Sequence, residues 1–285
     1  MSTMNGAALM EANGTTLHVE VAGHGTPVLL VPGAAGDARQ YFELAQLLGE
    51  NHTVIVYDRR NNARSPRQQD WAETSVEQHA GDIVALLESL GTKRCVVYGN
   101  STGALIALAA VLEAPGLFSG AVLHEPALLS VLANPDDAIA SVQPAIAAGM
   151  ETGGFAGGAE AFVRYAAGEA AALLPPDLIE GLRTNARVLL EAEFGAFASW
   201  KPEPRAMAGL RVPLVVLSAE QTAPFFVEAA EWIASRAGIS RQTVPGGHMG
   251  FLDRPAALAK AIEGMFSADS HERSLHVPDD RGTRG

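Results

Sequence analysis

The 285-residue sequence predicts an α/β fold, with a mostly parallel central sheet, helices on both faces and a helical insertion before the later strands. Three observations carry this expectation. Short apolar runs alternate with helix-patterned segments, the pattern of strands covered on both sides. One run, Cys95-Val96-Val97-Tyr98, leads into Gly99-Asn100-Ser101-Thr102-Gly103 and then the small-residue stretch Ala104–Ala110, which reads as strand, sharp turn, helix. From Ala127 to Met207 no strand pattern occurs, while Ala/Leu-rich helical segments are punctuated by Gly153-Gly154, Gly157-Gly158 and Pro175-Pro176.

In chain order, Thr15–Val21 alternates as a half-buried antiparallel strand does. Val28–Val31 is continuously apolar and ends at Pro32-Gly33-Ala34-Ala35-Gly36. A helix fits Tyr41–Leu48, and the next strand, Thr53–Tyr57, ends at Asp58-Arg59-Arg60. Ser75 with Gln78 forms a capping-box pattern, after which Val76, Ile83, Leu86, Leu87 and Leu90 mark one helical face closed by Gly91. Gly120–His124, Val212–Leu217 and Gln242–Val244 are further strands, and Phe226–Ala237 and Pro255–Phe266 further helices. This divides the chain into a core of residues 1–126 and 208–267, a helical cap insertion of 127–207 over the C-terminal edge of the sheet, and a disordered polar tail of 268–285.

An apolar content of 48% is ample for a sizeable core. The net charge of −12 argues against a nucleic-acid or anionic-membrane partner. The single Cys95 excludes an intrachain disulfide and suits a small buried apolar position. Met1-Ser2-Thr3-Met4 has no basic or apolar leader character and no 18-residue apolar span occurs, so the expectation is a soluble cytoplasmic protein. The sequence does not choose between a monomer and a homodimer. No metal-ligand cluster and no phosphate-binding glycine loop is present, and no cofactor is expected.

The pentapeptide is a G-x-S-x-G nucleophile elbow, whose glycines permit a turn where a side chain would clash. It lifts the Ser101 hydroxyl out of the sheet and sets the Thr102 N–H at a helix N-terminus, where it can donate to an oxyanion. A serine hydroxyl needs a base, and the base needs an orienting acid. In this topology the order is serine, acid, histidine. His18, His24, His52 and His79 precede Ser101, His271 and His276 lie in the tail, and His124 ends a strand beside an acid. His248, in Pro245-Gly246-Gly247-His248-Met249-Gly250, sits on a glycine-flanked loop able to present an imidazole over Ser101.

These features together resemble the α/β-hydrolases. The elbow, Val31–Gly36, Tyr57-Asp58-Arg59-Arg60 and Gly247-His248 match that family in order and spacing, over about Thr15 to Phe266. The resemblance implies an oxyanion hole of the Ala34 and Thr102 N–H groups. The chain departs from it at Pro32, where many members have His, and at Asn61-Asn62, which replace a usual Gly. The family's commoner acid position holds Gln221, which carries no charge, with Glu220 one residue off register. The alternative position, after the preceding strand, holds Glu125 in His124-Glu125-Pro126, and Glu125 is favoured over Glu220. A Ser–Glu–His set in this context is similar to the zearalenone lactonases, which cleave a macrocyclic resorcylic lactone under a helical cap.

The expected activity is therefore hydrolysis of a carboxylic ester or lactone of a moderately sized hydrophobic substrate. Ser101 would be the nucleophile, His248 the base and Glu125 its orienting acid. A carbon–carbon bond hydrolase of meta-cleavage products and a slow-turnover small-molecule receptor are the alternatives. Asp58, beside Arg59 and Arg60, reads as a structural ion-pair member. Trp200, Phe194 and Phe197, with Met249 and Phe251, are candidate pocket-lining residues or plain core.

Overall fold

The computed structural model describes residues 6–274, with side chains as far as Phe266. Eight strands form one sheet: β1 (Gly6–Ala12), β2 (Thr15–Gly23), β3 (Thr26–Val31), β4 (His52–Tyr57), β5 (Cys95–Asn100), β6 (Phe118–His124), β7 (Leu214–Gln221) and β8 (Gln242–Gly247). Their spatial order is β1-β2-β4-β3-β5-β6-β7-β8. The β1–β2 and β2–β4 pairs are antiparallel and the others parallel. β1 has no strand counterpart in the sequence reading. It is joined to β2 by Asn13-Gly14, both at positive φ (48° and 73°), the pair that a tight hairpin turn favours.

The central parallel strands carry continuous apolar runs, Val28–Val31 in β3 and Cys95–Tyr98 in β5, because both faces are covered. In β3, Leu29 and Val31 face one core with Ile83 and Leu86 of α2 (Val76–Ser89), Ala107 of α3 (Thr102–Glu113) and Ile233 of α8 (Pro224–Ala237). Val28 and Leu30 face the other core, with Leu44 and Leu48 of α1 (Phe42–Leu48) and Leu258 and Ile262 of α10 (Pro255–Ser274). α3 is buried along most of its length, as its apolar and small-residue sequence requires. At the start of α2, Ser75 Oγ accepts the Gln78 N–H at 3.1 Å, but Gln78 Oε1 has no partner, so the capping box is half formed.

Between β6 and β7 the described chain is helical and turn-like throughout, without a strand. It comprises α4 (Pro135–Ala167), α5 (Pro176–Thr184), a π-helical turn (Val188–Glu193), α6 (Phe194–Ser199) and α7 (Pro204–Gly209). α4 breaks at Gly154 (φ 58°), and its two arms meet so closely that a Cβ on Gly149 would collide with the Gly157 backbone. After β8 come the short α9 (Gly250–Asp253) and α10. α10 continues past Phe266 to Ser274, with no Gly or Pro to interrupt 267–274. Residues 275–285 and 1–5 lie outside the described residues. No described helix is long and apolar enough to cross a membrane.

Candidate active site

The C-terminal ends of the parallel strands bring the candidate residues together, as open α/β sheets do with their ligand sites. Ser101 follows β5, Glu125 follows β6, Gln221 ends β7, His248 follows β8, and Ala34 lies in the loop after β3. Ser101 sits at φ 57°, ψ −123°, a backbone conformation that non-glycine residues rarely adopt. The turn is held by Ser101 N–H donating to the His124 carbonyl (3.0 Å) and by Ala127 N–H donating to the Ser101 carbonyl (3.3 Å). Both elbow glycines are obligatory on contact grounds. A Cβ at Gly99 would run into the Gly103 carbonyl, and one at Gly103 into the Val31 carbonyl.

His248 Nδ1 lies 2.8 Å from Glu125 Oε2, and both residues are buried. The other Glu125 oxygen accepts the Ala219 N–H at 2.8 Å. Burial alone would raise the Glu125 carboxyl, but the hydrogen bond and charge of His248 outweigh it and hold the carboxyl below its ordinary value. Phe226 stacks on the imidazole, with centroids 4.3 Å apart and an interplanar angle of 18°. Asn100 Nδ2 donates to the His248 carbonyl at 3.0 Å, tying the histidine loop to the elbow. Asn100 was visible in the sequence only as an elbow residue, and its contact spans 148 positions.

Ser101 and His248 line one cavity, with no hydrogen bond between them among the described residues. Ligand-free catalytic geometries are commonly loose in this way. Ala34 and Thr102 line the same cavity. Thr102 is the first residue of α3, so its N–H has no intrahelical partner. Glu220 is exposed and its side chain makes no hydrogen bond or ion pair among the described residues, while Gln221 sits on the cavity wall. His124 is buried behind the site, with Nδ1 3.1 Å from the Tyr98 hydroxyl, and burial pushes its pKa down to about 4.

The cavity has a volume of about 590 Å³ and a largely apolar wall, to which Phe194 and Phe197 of the insertion and Phe225 and Phe226 of α8 contribute. Trp200 is not on this wall; its indole N–H donates to Glu77 Oε1 (2.8 Å). Met249 and Phe251 are buried core, with Phe251 packed edge-on to Tyr41. Asp58 is an ion-pair member as expected, but its partner is Arg64 (2.7 Å), not its neighbours. Arg59 pairs with Glu193 (2.7 Å) and Arg60 with Asp82. Successive residues leaving a strand point to different sides, which adjacency in sequence conceals. Asn61 takes a positive φ of 65°, which Asn tolerates, and Asn62 Nδ2 donates to Glu193 Oε1 (2.9 Å). That accounts for both residues where a glycine is usual.

The chain is similar to known hydrolases. The zearalenone hydrolase of Bionectria ochroleuca is 26% identical over 269 residues, covering 88% of this chain and 93% of that protein. The uncharacterised hydrolase YraK of Bacillus subtilis is 35% identical over 130 residues, 46% of this chain, and the match spans 48% of its length. The crystal structure of the enol-lactonase from Burkholderia xenovorans shares the fold, with a TM-score of 0.71 at 18% identity over 91% of this chain and 100% of that one. A model of the alpha/beta hydrolase family matches residues 28–261, from β3 into α10. With the elbow, the sheet order and this match in agreement, the chain belongs to the alpha/beta hydrolase family.

Proposed function

We propose that the protein hydrolyses a carboxylic ester or lactone of a moderately sized hydrophobic substrate through an acyl-enzyme on Ser101. The observation that carries this reading is the buried His248–Glu125 pair, 2.8 Å apart, beside a serine on a strained strand-to-helix turn. In this reading the carbonyl carbon is attacked by Ser101 Oγ while His248 Nε2 takes the hydroxyl proton. Glu125 keeps the other ring proton on Nδ1 and stabilises the imidazolium as it forms. The Ala34 and Thr102 N–H groups receive the oxyanion. His248 then protonates the departing alkoxide, and water activated by the same imidazole releases the acid.

The apolar cavity, capped by the helical insertion, favours a hydrophobic ligand, and its volume of about 590 Å³ suits a small molecule. Similarity to a zearalenone hydrolase over most of both chains supports including a macrolactone among the candidates. The test is product formation from p-nitrophenyl esters, small lactones and zearalenone, with Ser101→Ala beside wild type. The expected result is turnover that falls by about 10³-fold or more in the variant. Equal turnover by both proteins would overturn the proposal, as would silence across the panel.

A further inference from the structure

Arg59 is fully buried, and its side chain and backbone hold the two ends of one loop. Its Nη2 donates to the Gly33 carbonyl at 3.0 Å, and its own N–H donates to the Gly36 carbonyl at 2.8 Å. Between those two points lies Ala34. The Gly33 carbonyl and the Ala34 N–H belong to one trans peptide and so point in opposite directions. The Gly33 carbonyl also accepts the Gly36 N–H at 3.1 Å; with the guanidinium drawing that carbonyl one way, the N–H of Ala34, a cavity-lining residue, faces the other way.

What holds the guanidinium comes from elsewhere in the chain. Glu193 accepts from Arg59 Nη1 and Nη2, both at 2.7 Å, in the two-pronged geometry that fixes an arginine plane. Glu193 closes the π-helical turn of the insertion and itself borders the cavity. Asn62 Nδ2 donates to its Oε1 at 2.9 Å, and the Phe197 ring lies 5.5 Å from the guanidinium carbon. A buried ion pair is often replaceable by apolar side chains without loss of stability, so its presence calls for an account beyond stability.

We infer that Arg59, held by Glu193, is a positioning residue that aims the Ala34 N–H at the reacting carbonyl, coupling the seat of the insertion to the oxyanion site. This rests on the serine-hydrolase reading above. If the insertion shifts, the Glu193 prongs leave Arg59, the Gly33 carbonyl keeps only its turn bond from the Gly36 N–H (3.1 Å), and the Ala34 donor loses its fixed aim.

The test is the rate at which a fluorophosphonate labels Ser101, which needs no knowledge of the substrate. It is followed in wild type, Arg59→Lys, Glu193→Gln and the double variant Arg59→Met with Glu193→Leu. Lysine keeps the charge but cannot span Glu193 and Gly33 as the fork does. The double variant leaves no unpaired buried charge, so it reports even where a single change unfolds the chain. The expected result is labelling about 10- to 100-fold slower in all folded variants, approaching the loss of one oxyanion donor. Ester or lactone turnover falls in kcat with KM nearly unchanged. Labelling and kcat at wild-type values in the folded double variant would overturn the inference while leaving the hydrolase reading intact. Wild-type protein that is not labelled at Ser101 would overturn both.

Discussion

Replacing Glu125 with glutamine changes one atom's chemistry and little else, and the structure fixes which way the new amide must sit. Glu125 Oε1 accepts the Ala219 N–H and Oε2 faces His248 Nδ1, each at 2.8 Å. A glutamine amide has one acceptor and one donor end. The Ala219 N–H claims the oxygen, so the NH₂ faces the imidazole. His248 Nδ1 must then accept, which moves the single ring proton to Nε2, the nitrogen required as the base toward Ser101. An inverted tautomer of this kind lowers kcat by about 10⁴-fold, or ~5.5 kcal/mol at about 1.36 kcal/mol per decade. Glu220→Gln, on an exposed and unpaired side chain, should stay within about twofold of wild type. The assay is kcat on a p-nitrophenyl ester or lactone for wild type and both variants, with thermal unfolding to confirm that each is folded. A Glu125→Gln protein keeping more than about a tenth of wild-type kcat would refute the tautomer argument. So would an equal loss in Glu220→Gln.

Other consequences follow from the same contacts. His248 holds the Glu125 carboxyl below its ordinary 4.5, so the native state binds that proton more weakly than the unfolded chain. Its contribution to stability is present above about pH 4.5 and is lost as pH falls through the lowered folded value. Unfolding midpoints measured against pH should fall less steeply in Glu125→Gln over that acid range, and parallel curves would contradict this. Gly103→Ala places a Cβ into the Val31 carbonyl, so denaturant unfolding should show a loss of about 1–3 kcal/mol or more together with loss of activity. A stable, active alanine variant would mean the elbow tolerates more space than the structure gives it. Asn100→Ala removes the donor to the His248 carbonyl; kcat should drop by about fivefold with KM little changed, the worth of one hydrogen bond of about 1 kcal/mol at about 1.36 kcal/mol per decade. An effect confined to KM would place Asn100 outside the positioning of His248.

Much of the framework was legible because its signals are local. The continuous apolar runs of β3 and β5 say that both faces are covered, and Leu29 and Leu30 do enter opposite cores. The elbow carries its geometry in its own glycines. The strand β1 was not legible because Gly6–Ala12 is made of Gly, Ala, Leu, Met and Glu, none of them strand-favouring. Its strand state comes from pairing with β2, and the one local sign was Asn13-Gly14. The candidate site divides in the same way. Ser101, His248 and Glu125 lie at strand ends that topology orders, so sequence could nominate them. The Arg59–Glu193 pair spans 134 positions, and no spacing rule links a strand end to a π-helical turn deep in an insertion. The same holds for Asp58, whose partner Arg64 is set by how the chain turns after β4 and not by its neighbours.

The most direct test of the central claim is to trap the intermediate. Wild-type protein mixed with a p-nitrophenyl ester and quenched in acid within the first turnovers would be weighed intact, then digested to locate any added mass. The account predicts one acyl group per chain on the Ser101 peptide, absent from Ser101→Ala. Sustained hydrolysis with no acyl group on Ser101, or hydrolysis undiminished in Ser101→Ala, would contradict it.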